Sequence, residues 1–138
     1  MSGILKGYFE GKGAIEDFVR SAGFMHWTIH RPPVFMTNYL PPSVRDYFPA
    51  LAESYTLRTA MALEKRTMLL YPDDIGRFAA AALVELGRFS HRVIEIGGEA
   101  LTAEQVARVN GREIVVDHIP RDVAERLTLS NPQIDPQL

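Results

Sequence analysis

Tyr8-Phe-Glu-Gly-Lys12 sets a phenol four residues ahead of an ammonium near the start of a 138-residue chain. On a helix that spacing puts both groups on one face, within reach of one small molecule. A lysine charge beside a tyrosine favours phenolate and so lowers a pKa that is ordinarily about 10. Such a tyrosine can give or take a proton next to a carbonyl while the lysine holds a ribose hydroxyl. By itself the spacing describes an ordinary helix pair equally well. The other candidates point to no chemistry. His26 and His30 lie four apart on an expected strand, too far for one metal ion, and read as buried or edge histidines. His91 and His118 have no ligand partner at recognisable spacing and read as surface residues. Asp73-Asp74 is explained by a helix start, where acidic residues complement the helix dipole. No serine sits in a G-x-S-x-G elbow, which disfavours a hydrolase. No metal site is expected.

The elements that must carry the Tyr8/Lys12 pair follow from periodicity. Within Tyr8 to Ala22, the residues Ile15, Phe18, Val19 and Ala22 recur at i, i+3, i+4 and i+7, the stripe of an amphipathic helix, with Gly23 placed to end it. Met25 to His30 is rich in β-branched and aromatic residues and stops at Arg31-Pro32-Pro33, so it reads as a short strand running into a rigid loop. Prolines punctuate the stretch from Asn38 to Pro49, and Leu51 to Arg66, with few breakers, reads as a helix. A further helix is expected after Asp73 as N-cap, on Ile75, Phe78, Ala79, Ala82, Leu83 and Leu86, with Gly87 closing it. Arg92 to Ile96 reads as a strand closed by Gly97-Gly98. Thr102-Ala-Glu-Gln105 matches a capping box opening a helix through about Val109. Glu113 to Ile119 is a third strand, and Pro120 opens a last helix over Arg121 to Leu127.

Strands alternating with helices imply an α/β layer architecture with a largely parallel sheet. Three strands are few for such a sheet. No G-x-G-x-x-G occurs, so the phosphate-binding turn of a doubly wound nucleotide-binding fold is not in these residues. The formal charge is −2, which provides no basic field for nucleic acid. Cysteine is absent, which removes disulfides, thiolate metal sites and thiol catalysis. No apolar run approaches the roughly 18–20 residues of a membrane span. A cytoplasmic location is expected. Tyr39, Tyr47, Phe48, Tyr55, Met61 and Met68 follow the proline loop and suit either core packing or the wall of an apolar pocket.

Around the Tyr8/Lys12 pair the sequence reads Tyr8-Phe-Glu-Gly-Lys12-Gly-Ala-Ile-Glu16, then Gly23, Trp27-Thr28-Ile29, Arg31-Pro32-Pro33 and Phe35-Met36-Thr37-Asn38. This pattern resembles the NmrA-like family of atypical short-chain dehydrogenase/reductase folds. Asp74 to Ala79 and Glu95 to Thr102 resemble that family's later helix and late strand. The resemblance covers roughly residues 7 to 120 and corresponds to the family's C-terminal half. It implies the C-terminal part of a Rossmann-like doubly wound parallel sheet, without the N-terminal glycine-rich βαβ unit. Residues 1–128 would form this partial NAD(P)-binding domain and 129–138 a flexible tail.

The family implies NADP or NAD as cofactor, with members acting as reductases or as redox-sensing regulators of transcription factors. Lys12 matches the position implied to contact the nicotinamide ribose, and Tyr8 matches the catalytic tyrosine of the wider superfamily. Pro32, Pro33, Val34 and Phe35 match the turn implied to meet the nicotinamide end, and Asn38 a position beside the substrate cleft. Many members lack the tyrosine, so its presence tilts the reading towards an NAD(P)H-dependent oxidoreductase reducing a small organic acceptor. The alternatives are a regulator that binds NAD(P) without turnover, in which case a nuclear location is admissible, and an inactive truncated fragment. Without the phosphate turn, the chain alone is expected to bind dinucleotide weakly or not at all. An uncovered sheet edge would favour self-association.

Overall fold

The computed structural model describes residues 3–62, 64–109, 113–120, 122–124 and 126. Helix α1, Gly3–Ser21, opens the chain. It ends where the Ser21 hydroxyl donates to the carbonyls of Asp17 and Phe18 at 2.9 and 3.1 Å. Gly23, at φ +76°, then turns the chain away in the left-handed region that glycine enters without steric cost. Strand β1 (Thr28–Arg31) runs into the proline loop and out as β2 (Val34–Phe35). A 3-10 turn over Met36–Tyr39 and two short helices follow, α2 (Val44–Tyr47) and α3 (Pro49–Ser54), the latter with its proline in the first turn, where no N–H is needed.

The chain departs here from the expected helix over Leu51 to Arg66. Tyr55 takes a left-handed conformation, φ 52°, and ends α3. Thr56-Leu57-Arg58-Thr59 then alternates, with Leu57 and Thr59 buried and Arg58 exposed, as β3 (Thr56–Thr59). Strand β4 (Thr67–Leu70) repeats the period of two, burying Thr67 and Leu69 about an exposed Met68. Two buried β-branched threonines and a period of two outweigh the lack of helix breakers.

Helix α4 spans Pro72–Val84. Its N-cap is Tyr71 rather than Asp73; Pro72 occupies the first helical position, and Asp73 and Asp74 lie in the first turn, where their charge suits the dipole. Glu85 leaves helical geometry, and Gly87 falls inside the next short helix, α5 (Leu86–Phe89), rather than after the stripe. Strand β5 (Arg92–Glu95) matches the expected strand, and β6 (Glu99–Leu101) follows the two glycines. The capping box forms as read: Thr102 N–H donates to Gln105 Oε1 at 2.9 Å, and Gln105 N–H to Thr102 Oγ1 at 3.2 Å, opening α6 (Ala103–Val109). Strand β7 is Val115–His118. After it, Val123 and Ala124 donate backbone N–H groups to the Pro120 carbonyl in a helical turn. Arg121, Leu127 and the expected tail 129–138 lie outside the described residues.

The architecture is α/β. Strands β1 and β5 pair in parallel, as do β2 with β4 and β3 with β7, while β6 adds to β4 antiparallel. Seven strands among the described residues replace the three expected. Ile96 N–H donates to the Arg31 carbonyl (3.2 Å), continuing the β1–β5 pairing, and Gly98 N–H donates to the Leu69 carbonyl (2.9 Å), beside the β4–β6 pairing. Gly98 is needed there, since a Cβ would stand 3.0 Å from the Leu69 carbonyl oxygen. One core joins Val34, Val44, Phe48, Leu51, Leu57, Leu69 and Val106, so the short helices and α6 are packed onto β2, β3 and β4. No helix among the described residues is long and apolar enough to cross a membrane.

Candidate functional site

Helix geometry brings Tyr8 and Lys12 together as the spacing implies. The Lys12 ammonium lies 4.8 Å from the centroid of the Tyr8 ring, over its face, an attractive contact with the ring quadrupole. Tyr8 is 57% exposed and Phe9 packs edge-on against it at 5.3 Å between centroids. Both chemical groups are open to an incoming molecule.

The residues of the proline loop sit at the carboxyl ends of β1 and β5, where the chain crosses from one sheet to the next. Open α/β sheets bind their ligands outside the carboxyl ends of their strands. Pro32 is exposed and Pro33 and Phe35 half-buried. Val34 is buried and belongs to the core, pairing with Leu69 in the β2–β4 register, so its side chain is engaged in packing. Asn38 is half-buried on the 3-10 turn.

Beyond Asn38, Tyr39 stacks on Phe48 with ring centroids 4.5 Å apart and planes 12° from parallel. The pair walls a cavity of about 20 Å³ shared with Leu57, Thr59, Met61 and Thr67. That volume admits about one water molecule, so these aromatic residues serve the core, and an organic substrate would sit at the mouth or displace a side chain. Met61 is fixed on both sides: its N–H donates to Thr59 Oγ1 (3.1 Å) and its sulfur accepts from Thr67 Oγ1 (3.5 Å). Tyr55 and Met68 are exposed instead.

Tyr8/Lys12 and the proline loop come from separate elements, and Glu16 with Arg31 joins them. Both carboxylate oxygens of Glu16 accept from one Arg31 guanidinium, Nε at 2.8 Å and Nη2 at 2.7 Å. Arg20 donates to the same carboxylate at 2.8 Å from the next turn of α1. Hydrogen bonding by Arg31, with its charge and that of Arg20, lowers the Glu16 pKa to about 2 despite partial burial. The Arg31 guanidinium is correspondingly held further above its usual value by Glu16, and Glu95 adds to this from 3.7 Å. Glu16 and Arg31 both stand in the motif Tyr8 to Asn38, but residue types alone assign them no role. The i+4 step from Lys12 to Glu16 was the available signal.

His30 lies within β1 and His118 ends β7, while the other two histidines meet at the amino ends of β1 and β5. His26 and His91 bond through Nδ1 to a single hydroxyl, Ser90 Oγ, at 3.0 and 2.9 Å, in the loops that precede β1 and β5. Among the described residues no group of three metal-ligating side chains assembles.

The model of the NmrA-like family matches residues 4–135. A search of curated proteins finds no match. Among solved structures, the chain is similar to a nucleoside-diphosphate-sugar epimerase from Staphylococcus aureus, with a TM-score of 0.60 at 18% identity. That superposition covers 84% of this chain and 40% of the epimerase, so the chain spans well under half of that protein's length. At this identity the likeness speaks for the fold, a Rossmann-like arrangement of parallel strands and helices. The family match extends over the Tyr8/Lys12 helix, the proline loop, the core and β7 alike, and the chain belongs to the NmrA-like family.

Proposed function

We propose that the chain forms the nicotinamide-facing part of an NAD(P)H-dependent reductase acting on a small organic acceptor. The observation that carries this reading is the Lys12 ammonium 4.8 Å from the Tyr8 ring on one open helix face. Such a pair suits proton delivery to a carbonyl oxygen as that oxygen gains charge. The loop residues fit one end of a dinucleotide better than the other. Pro32 and Pro33 have no N–H to offer a phosphate, but they present a rigid apolar surface and carbonyls to a nicotinamide ring. Lys12 has donors for the ribose hydroxyls.

When bound, the dinucleotide supplies the hydride. This chain's own part is to hold and protonate: Tyr8 Oη gives its proton to the acceptor oxygen while the Lys12 ammonium holds the ribose hydroxyls. Asn38, next in the chain to the stacked Tyr39, would contact the acceptor.

The test uses the protein at the length it has in its source cells, established by intact mass. NADPH and NADH are titrated by calorimetry, and turnover is followed with small aldehydes, ketones and quinones. Tyr8→Phe should leave binding in place and lower kcat by on the order of 10²–10⁴-fold. Binding without turnover in the parent protein would favour a redox-sensing regulator that contacts a transcription factor. Absence of binding would refute both.

A further inference from the structure

We infer that Glu16 and Arg31 are positioning residues: their paired hydrogen bonds fix the Tyr8/Lys12 helix against the proline loop, an inference that rests on the functional reading above. Tyr8, Lys12 and Glu16 follow one another at i, i+4 and i+8 and so share one face of α1. Glu16 stands about 6 Å along the axis from Lys12 and about 12 Å from Tyr8 at 1.5 Å per residue. A shift at Glu16 is therefore a shift of the pair.

The far end of the link is rigid. Arg31 is the last residue of β1, in register with Glu95 of β5, and its carbonyl accepts the Ile96 N–H. Its next neighbour in the chain is Pro32, whose ring fixes φ. The planar guanidinium offers Nε and Nη2 as a fork that matches the two carboxylate oxygens, which sets angle as well as distance. Arg20 braces the carboxylate from α1 itself, and the Glu16 side chain is only 15% exposed.

Among the described side chains of this helix, apolar packing is thin, with Val19 half-buried. Its stripe residues Ile15 and Phe18 are 65% and 67% exposed, and Phe9 is open as well. The ion pair thus has an orienting task that a buried helix face would otherwise perform. A lysine at position 31 keeps the charge and loses the fork, so the orientation should loosen while attraction persists.

The chain has no cysteine, so Ala14→Cys on α1 and Glu99→Cys on β6 give a unique pair of spin labels for pulsed electron paramagnetic resonance. One narrow distance distribution is expected with the pair intact, a broader one with Arg31→Lys, and the broadest with Glu16→Gln. Circular dichroism is expected to show the same helix content throughout. With Arg31→Lys and Glu16→Gln placed in the protein at its source-cell length, NADPH turnover should fall by on the order of tenfold to a hundredfold in kcat, with KM changing less. An unaltered narrow distribution in Glu16→Gln would overturn the inference, as would broadened distances with kcat unchanged. If no form binds NADPH yet the distances broaden in this order, the seating of the helix stands and the cofactor reading fails.

Discussion

Phe48 gives the sharpest test of how the substrate-side core is built. Its ring is 8% exposed, stacks on Tyr39 at 4.5 Å and walls the small cavity behind the 3-10 turn that carries Asn38. Removing it in Phe48→Ala withdraws roughly 100–150 Å² of apolar surface from burial, which at about 25 cal/mol per Å² is about 3 kcal/mol. The enlarged cavity adds to that, because its walls relax only partly, and the whole loss should be about 3–5 kcal/mol. A chain of this size holds roughly 5–15 kcal/mol, so the variant should stay folded but with a much lower midpoint. Equilibrium urea unfolding followed by the fluorescence of Trp27, the single tryptophan, measures the change. The stack itself is isolated by a cycle of Phe48→Leu and Tyr39→Leu, with a coupling of about 0.5–1.5 kcal/mol. A loss below about 1 kcal/mol in Phe48→Ala at unchanged m-value would show that the ring packs against solvent, and the assignment of these aromatic residues to the core would fall.

Three further outcomes are expected. Thr102→Ala removes one half of the reciprocal cap on α6 and should cost about 1 kcal/mol, with Gln105→Ala adding less than its single effect in the double variant. Gly98→Ala places a methyl group 3.0 Å from the Leu69 carbonyl oxygen, where backbone must yield, and should destabilise by about 1–3 kcal/mol; a neutral result would mean the turn into β6 shifts freely against β4. The third concerns acid. Glu16 titrates at about 2 in the folded chain against 4.5 for an unperturbed carboxyl, so its depressed pKa contributes stability that is complete above about 4.5 and is lost as pH falls towards 2. The Ala14/Glu99 distance distribution should hold its width down to about pH 4.5 and broaden below it, and broadening already near pH 6 would assign the helix's seating to some other group.

Legibility followed the range of the interactions. The Thr102–Gln105 cap, the exit at Gly23 and the strand over Arg92–Glu95 depend on residues a few positions apart, and spacing reveals them. Strands β3 and β4 do not announce themselves in this way. Thr56–Thr59 has only four residues, and what makes it a strand is its parallel partner Val115–His118, far along the chain. Helix α4 starts two residues earlier than Asp73 as its cap would place it, because Pro72 occupies the first helical position and makes Tyr71 the N-cap.

The site divides along the same line. Tyr8 and Lys12 share a helix, so their contact follows from four residues of spacing. Their relation to Pro32–Phe35 does not, since it requires an exposed helix to be held at one angle to a strand fifteen residues away from Glu16. Charge type shows that Glu16 and Arg31 can attract each other; only the folded arrangement shows the two-point fork, Arg20 bracing it and Ile15 and Phe18 left exposed on the same helix. The chemical groups of the candidate site are thus written locally, whereas the ion pair that ties their helix to the strand before the loop joins residues fifteen positions apart. If the angle governs turnover, Arg31→Lys should separate the two levels, retaining attraction and helix content while losing kcat.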